Sequence, residues 1–308
     1  MAVQDYQPGY QTLTFGDRRA VLFVPDQLQR LNNKVVVAFT ADSTCLYFGN
    51  KGTSDIKMGQ VNGVDKAAAK FGFVVVHLLP TFRFFGGVYA WDADGQFMGR
   101  WRRKVDDPGY VHRVADHIRL KFGDRLVGDP YLVGLGFGDG AQFLQLCPGV
   151  FSDFVSIQGT RLGTEPSLPA GTGFWWVHGV DNVVLPLGGG YGGPFWLYFK
   201  LVASRHARNS YPWNQMAEAC RANGVPFDSS GDGESDDKWP GVRLYNFTPR
   251  GHPVAVCARL VPGGHAYPSR LPIDSAVSKR QGGVPSSYPA NDIWPVELLG
   301  MKALRNET

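Results

Sequence analysis

Residues 131–143, YLVGLGFGDGAQF, decide how the rest of the chain is read. The first seven are apolar enough for a buried strand, and a helix is expected from about Gly140. Three glycines, Gly136, Gly138 and Gly140, crowd the junction. Glycine at that density marks a backbone that turns abruptly or admits another segment very closely. Three readings fit 136-GFGDGA-141. G-x-G-x-x-A between strand and helix is the spacing of a dinucleotide-binding fingerprint. Alternatively the glycines serve only tight strand-to-helix packing. In the third reading the turn is a nucleophile elbow, normally G-x-S-x-G, with glycine at its apex.

The surroundings weigh on that choice. Short apolar runs at 20–24, 35–39 and 73–79 predict strands ahead of the turn, whereas a dinucleotide fingerprint normally opens its domain. A helix is expected over 65–71, with Gly72 just past its end, and another from Asp107-Pro108, where proline suits the first helical position. Val111, Val114, Ile118 and Phe122 give the second an apolar stripe. Further strands are expected at 154–158, 174–178, 242–247 and 254–260, with helices at 215–222 and 293–304. This alternation predicts an α/β fold, one domain over residues 1–308 with a mostly parallel central sheet and helices on both faces. Glycine- and ring-rich stretches at 82–104 and 187–212 read as insertions.

Composition narrows the function classes. With 44% apolar and 19% charged residues the chain is globular. The net charge of +4 is spread out, and the cluster Arg100, Arg102, Arg103, Lys104 is balanced at once by Asp106 and Asp107, so no nucleic-acid footprint is expected. No run of eighteen apolar residues suggests a membrane span, and the first residues hold no apolar signal segment. Cys45, Cys147, Cys220 and Cys257 lack metal or C-x-x-C spacing and are expected reduced and buried; no metal and no cofactor is implied.

Downstream motifs carry more. The strand ending in 178-HGVDNVVLP-186 puts Asp181 just past its end, and 262-PGGHAYP-268 puts His265 in a glycine-framed loop. Nucleophile, acid, histidine is the chain order of α/β-hydrolases. Together with 136-GFGDGAQF-143 these segments resemble the polyhydroxybutyrate depolymerase, feruloyl esterase and acetylxylan esterase group, over roughly residues 12 to 300. The resemblance implies an α/β-hydrolase fold, a triad of elbow residue, Asp181 and His265, a structural His178, and ester chemistry on polyesters or glycan esters.

The chain departs from that pattern at the reacting atoms. Gly138 takes the serine position, or Gly136 if the register slides by two, and neither carries an oxygen. Thr40-Ala41 stands where the group has His-Gly in its oxyanion loop, and the acid loop is one residue shorter between Gly179 and Asp181. Covalent catalysis needs its nucleophile, and losing the serine of a triad costs about a million-fold in rate. The expectation is a pseudoenzyme acting as a binding or structural subunit; the alternative is an ester hydrolase with an unorthodox nucleophile. Asp139, one place past the apex, and Ser43, in the oxyanion-loop segment, are the substitutes weighed, together with a His265–Asp181 pair acting on water.

Trp91 and Trp196, inside the two insertions, are candidate stacking platforms for a glycan or an aromatic ester. The expected partners are other subunits of an assembly. The expected setting is a virion, such as a phage tail, or the cytoplasm. The acidic run 228-DSSGDGESDD-237 begins like a calcium loop but has Trp239 at the twelfth position, and is expected to be a solvated loop.

Overall fold

The structure is a computed structural model. It describes residues 7–41, 63–80, 82–83, 89–91, 106–124, 127–161, 165–183, 185–188, 211–231, 233–249, 252–264 and 288–302. The chain opens with β1 (Gly9–Phe15), β2 (Arg18–Val24), β3 (Arg30–Leu31) and β4 (Lys34–Ala41). Helix α1 (Val64–Phe71) leads to β5 (Val74–Leu78), then to the short hairpin β6 (Phe82–Arg83) and β7 (Tyr89–Ala90). Helix α2 (Asp107–Phe122) precedes β8 (Tyr131–Phe137), α3 (Asp139–Leu144), β9 (Asp153–Ile157) and β10 (Gly173–Gly179). Helix α4 (Asn214–Ala222), β11 (Glu234–Ser235), β12 (Arg243–Asn246), β13 (Val256–Val261) and α5 (Ala290–Glu297) complete the described elements.

The main sheet runs β1-β2-β5-β4-β8-β9-β10-β13-β12-β11. From β5 to β13 every neighbouring pair is parallel, and antiparallel strands extend it at both edges. The parallel strands are buried on both faces, which is why they read as unbroken apolar runs. One face packs α2, α3 and α4 through residues such as Tyr110, Phe143 and Met216. The other packs α1 and α5 through Phe71 and Trp294.

Local chemistry sets the boundaries. Asp106 Oδ1 accepts from Gly109 N at 2.8 Å and caps α2, with Pro108 in its first turn. Gly72 closes α1 at φ 73, donating to Ala68 O. The β3–β4 connection holds Asn32 and Asn33 at φ 49 and 64, the paired left-handed residues of a type I′ hairpin, which composition alone did not predict. The last helix begins and ends earlier than expected, at 290–297 instead of 293–304: Pro295 lies inside it and Gly300, at φ 65, turns the chain away.

Arg18 is a buried clamp between layers. Its guanidinium pairs with Asp107 at the start of α2, donates to Leu79 O at 3.1 Å and lies 3.7 Å from the Tyr110 ring centroid. Cys147, Cys220 and Cys257 are free and buried, and burial pushes each thiol up to about 12. Removing one partner of a buried pair leaves the other charge uncompensated. Arg18→Met is therefore expected to cost about 3–5 kcal/mol, measured by urea denaturation, with Arg18→Met/Asp107→Leu recovering part of the loss.

Candidate active site

At the end of β8 the chain reverses through Gly138, with φ 58 and ψ −121, and enters α3 at Asp139. That is the first central position of a type II′ turn, a conformation open mainly to glycine. Gly138 N donates to Ile157 O at 2.9 Å, tying the apex to the end of β9. Gly136 is still within β8, and a Cβ there would run into the backbone of Ala141. A Cβ at Gly159 would lie 2.6 Å from Ala141 Cβ and 2.5 Å from Ser156 Oγ. The apex is thus Gly138, while Gly136 and Gly159 let α3 press onto the sheet.

Strands β4 and β8 are neighbours, yet β4 leads through α1 to β5 on one side and β8 through α3 to β9 on the other. Connections diverging from adjacent parallel strands open a crevice at their C-terminal ends, where open α/β sheets bind ligands. The elbow lies at that crevice, and Ala41, the last residue of β4, sits opposite Gly136. This is an α/β-hydrolase fold. The strand order, the strand–turn–helix elbow and its place at the switch point carry that conclusion.

The ends of β10 and β13 bring in the other loops. Val180 N donates to Val261 O at 2.9 Å and Asp181 N to Gly263 O at 3.0 Å, so the acid loop and the loop that leads into His265 lie side by side. Asp181 is exposed. Gln158, just beyond β9, has φ 53 and is buried. Its Oε1 accepts from Gly179 N at 2.9 Å and from Asn182 Nδ2 at 2.9 Å, and its Nε2 donates to Gly264 O at 3.0 Å. Sequence reading missed Gln158; only its neighbour Gly159, ahead of an irregular stretch, hinted at a turn. His178, next to last in β10, is fully buried and bonded through Nε2 to Leu185 O at 2.8 Å, a structural setting. Desolvation holds its imidazole down at about 4, against the smaller upward effect of that bond.

Two buried polar networks flank the crevice. Beneath α3, Ser156 Oγ donates to Gln215 Oε1 at 2.7 Å, Gln215 Nε2 to Gly159 O at 3.0 Å, and Arg161 Nη1 to Gln145 Oε1 at 3.3 Å. On the opposite face Thr40 Oγ1 lies 3.0 Å from His77 Nδ1, His77 Nε2 2.8 Å from Asp65 Oδ1, and Tyr10 OH donates to Asp65 Oδ2 at 2.7 Å. A carboxylate only accepts, so His77 Nε2 donates to it, and Nδ1 of a neutral ring accepts from Thr40.

Thus Gly138, Thr40, Ala41 and Asp181 are brought to one end of the sheet. His265, Ser43 and Trp196 lie outside the described residues, as does most of both insertions. Asp139 begins α3. Trp91 departs from expectation. Instead of offering a face to ligand it is 1% exposed, stacked on Phe143 at 4.4 Å with a 4° interplanar angle. Its faces are used in the core because α3 and the β7 segment close over each other. The acidic run 228–237 forms a turn, Asp228 Oδ1 accepting from Ser230 N at 2.8 Å, then the edge strand β11. Among the described residues no group of three or more His, Cys, Asp or Glu side chains is arranged to hold a metal.

No protein-family model and no curated protein matches the chain. Among solved structures it is similar to an acetyl xylan esterase from Aspergillus awamori, at 13% identity over 83% of this chain and 94% of that one, TM-score 0.49. It is also similar to an S-formylglutathione hydrolase from Agrobacterium tumefaciens, at 12% identity over 64% and 83%, TM-score 0.41. A third is an α/β serine hydrolase without a lid from Xanthomonas campestris, at 15% identity over 64% and 79%, TM-score 0.38. At such identities and scores these likenesses add no weight; the fold rests on the chain's own strand order and elbow.

Two tests follow from this geometry. Gly138→Ser places a side chain at a positive φ and is expected to cost about 1–3 kcal/mol. Gly136→Ala meets unyielding backbone and is expected to cost about 3 kcal/mol or more; equilibrium unfolding ranks the two. Below about pH 6.5 the unfolded chain gains a proton that the native His178 accepts only near 4, so its contribution is complete above that window and lost as pH falls through it. Between pH 7.5 and 5 His178 should therefore remove about 2 kcal/mol of stability. His178→Gln, which keeps a donor for Leu185 O without titrating, should flatten that dependence by the same amount.

Proposed function

We propose that this protein binds rather than hydrolyses: an esterase-like scaffold serving as a binding or structural subunit, with glycine in the nucleophile's place. The observation that carries the reading is Gly138, at the elbow apex with no side-chain oxygen. The nearby Ser156 hydroxyl is committed to Gln215 and is 2% exposed. Without an apex nucleophile no acyl-enzyme forms through the elbow. The switch point between β4 and β8 is where open α/β sheets bind ligands, with or without a nucleophile. The ligand class we favour is a glycan or polyester, with Trp196 rather than Trp91 as the aromatic contact, and the setting is an assembly such as a virion or phage tail.

A second reading, an ester hydrolase with a different nucleophile, draws on one observation. Thr40, His77 and Asp65 repeat the donor–acceptor polarity of a Ser–His–Asp triad. Against it, Thr40 is 2% exposed, and its partners His77 in β5 and Asp65 in α1 are buried as well.

The test is incubation with p-nitrophenyl acetate and with a serine-directed fluorophosphonate, read by product release and peptide mapping. Neither turnover nor stoichiometric labelling is expected. A label on the peptide holding Thr40, Ser43 or Asp139 would overturn the proposal and identify the nucleophile.

A further inference from the structure

Gln158 has two unusual properties together. It holds a left-handed backbone without being glycine, a conformation costing on the order of 1 kcal/mol or more, and its buried amide spans three strand ends. The backbone is fixed by Gln158 N donating to Val177 O at 2.8 Å, and the next residue, Gly159, has no room for a side chain. Strain of this kind persists only where the surroundings determine it. Here the surroundings are the acid loop, through Gly179 and Asn182, and the loop entering at Pro262, through Gly264. Asn182 passes the constraint on, its Oδ1 accepting from Leu185 N at 2.8 Å.

We propose that Gln158 is a positioning residue that locks the acid loop and the histidine-bearing loop to each other, making the crevice one preorganised unit. This rests on the reading that the crevice at the C-terminal ends of the strands, which these loops border, is the binding site. The amide division of labour is specific. Among the described residues the oxygen serves the acid loop, accepting from Gly179 N and Asn182 Nδ2, and the nitrogen serves the other loop, donating to Gly264 O. Glutamate keeps the first function and loses the second, since a carboxylate cannot donate to Gly264 O and repels it. Methionine keeps the volume and loses both.

The experiment is residue-resolved amide exchange on the unliganded full chain, for wild type, Gln158→Glu and Gln158→Met. In Gln158→Glu the amides of Gly179 and Leu185 should stay within about twofold of wild type, while Asp181, whose N–H is bonded to Gly263 O, should exchange about tenfold faster or more. In Gln158→Met all three should accelerate by that factor. Identical patterns in the two variants, or no change in either, would overturn the proposal. A uniform acceleration reaching Val114 and Ile118 of α2 would overturn it too, leaving Gln158 a stabilising residue only. If Gln158→Met fails to fold, the selectivity within Gln158→Glu decides. No ligand is used, so this result stands or falls apart from the search for one.

Discussion

Contact between the backbones at Gly136 and Ala141 is the constraint on which the molecule turns. A strand and the helix that follows it can share a junction this tight only if no Cβ stands between them, and the same holds for Gly159 on the neighbouring strand. Once α3 is pressed onto the sheet, Phe143 meets Trp91 and Gln145 reaches Arg161, so the elbow is built into the core rather than laid upon it. The tight strand–turn–helix geometry holds with glycine at its apex.

Polar groups are distributed along the sheet by role. At the N-terminal ends of β8, β9 and β10, Tyr131 OH and Gly173 N donate to Asp153 at 2.6 and 2.7 Å, and burial raises that carboxyl despite both bonds. Trp175 and Arg259 anchor α5 through Glu297. These are structural tethers far from the crevice. At the opposite ends of β9 and β10, Gln158, Asn182 and backbone groups join the loops, and Asp181 faces solvent. At that end of β9 and β10 the joint between loops is made by amides and carbonyls rather than by an ion pair.

Much of this was legible in the sequence where local chemistry decides. Asp107-Pro108, Gly72 and the glycines of 136–140 announced a helix start, a helix end and a turn because each acts on its own backbone. Periodicity found the buried strands from β4 to β13. What escaped was set by partners distant in sequence. Gln158 is an unremarkable residue until three strand ends converge on it. Trp91 sits in a stretch whose rings and glycines suggested a surface, but burial depends on what closes over a ring, and Phe143 lies over fifty residues away. Pro295 was read as part of a longer helix because apolar spacing carried on past it. For the site, chain order singled out the loops holding Asp181 and Gly263, and spacing alone gave no measure of how the two are joined.

The three buried thiols give the fold a built-in reporter. Cys147 lies beyond α3, Cys220 in α4 and Cys257 in β13, and each is held far from its thiolate by burial. Thiolate is the reactive form, so an alkylating reagent at neutral pH meets these sulfurs essentially only when the surrounding segment opens. The rate at each cysteine then measures the opening of a different segment: the turn after α3, the helix α4 on the sheet face, and the strand β13. An unmodified chain can in this way reveal whether its layers separate one at a time or all together.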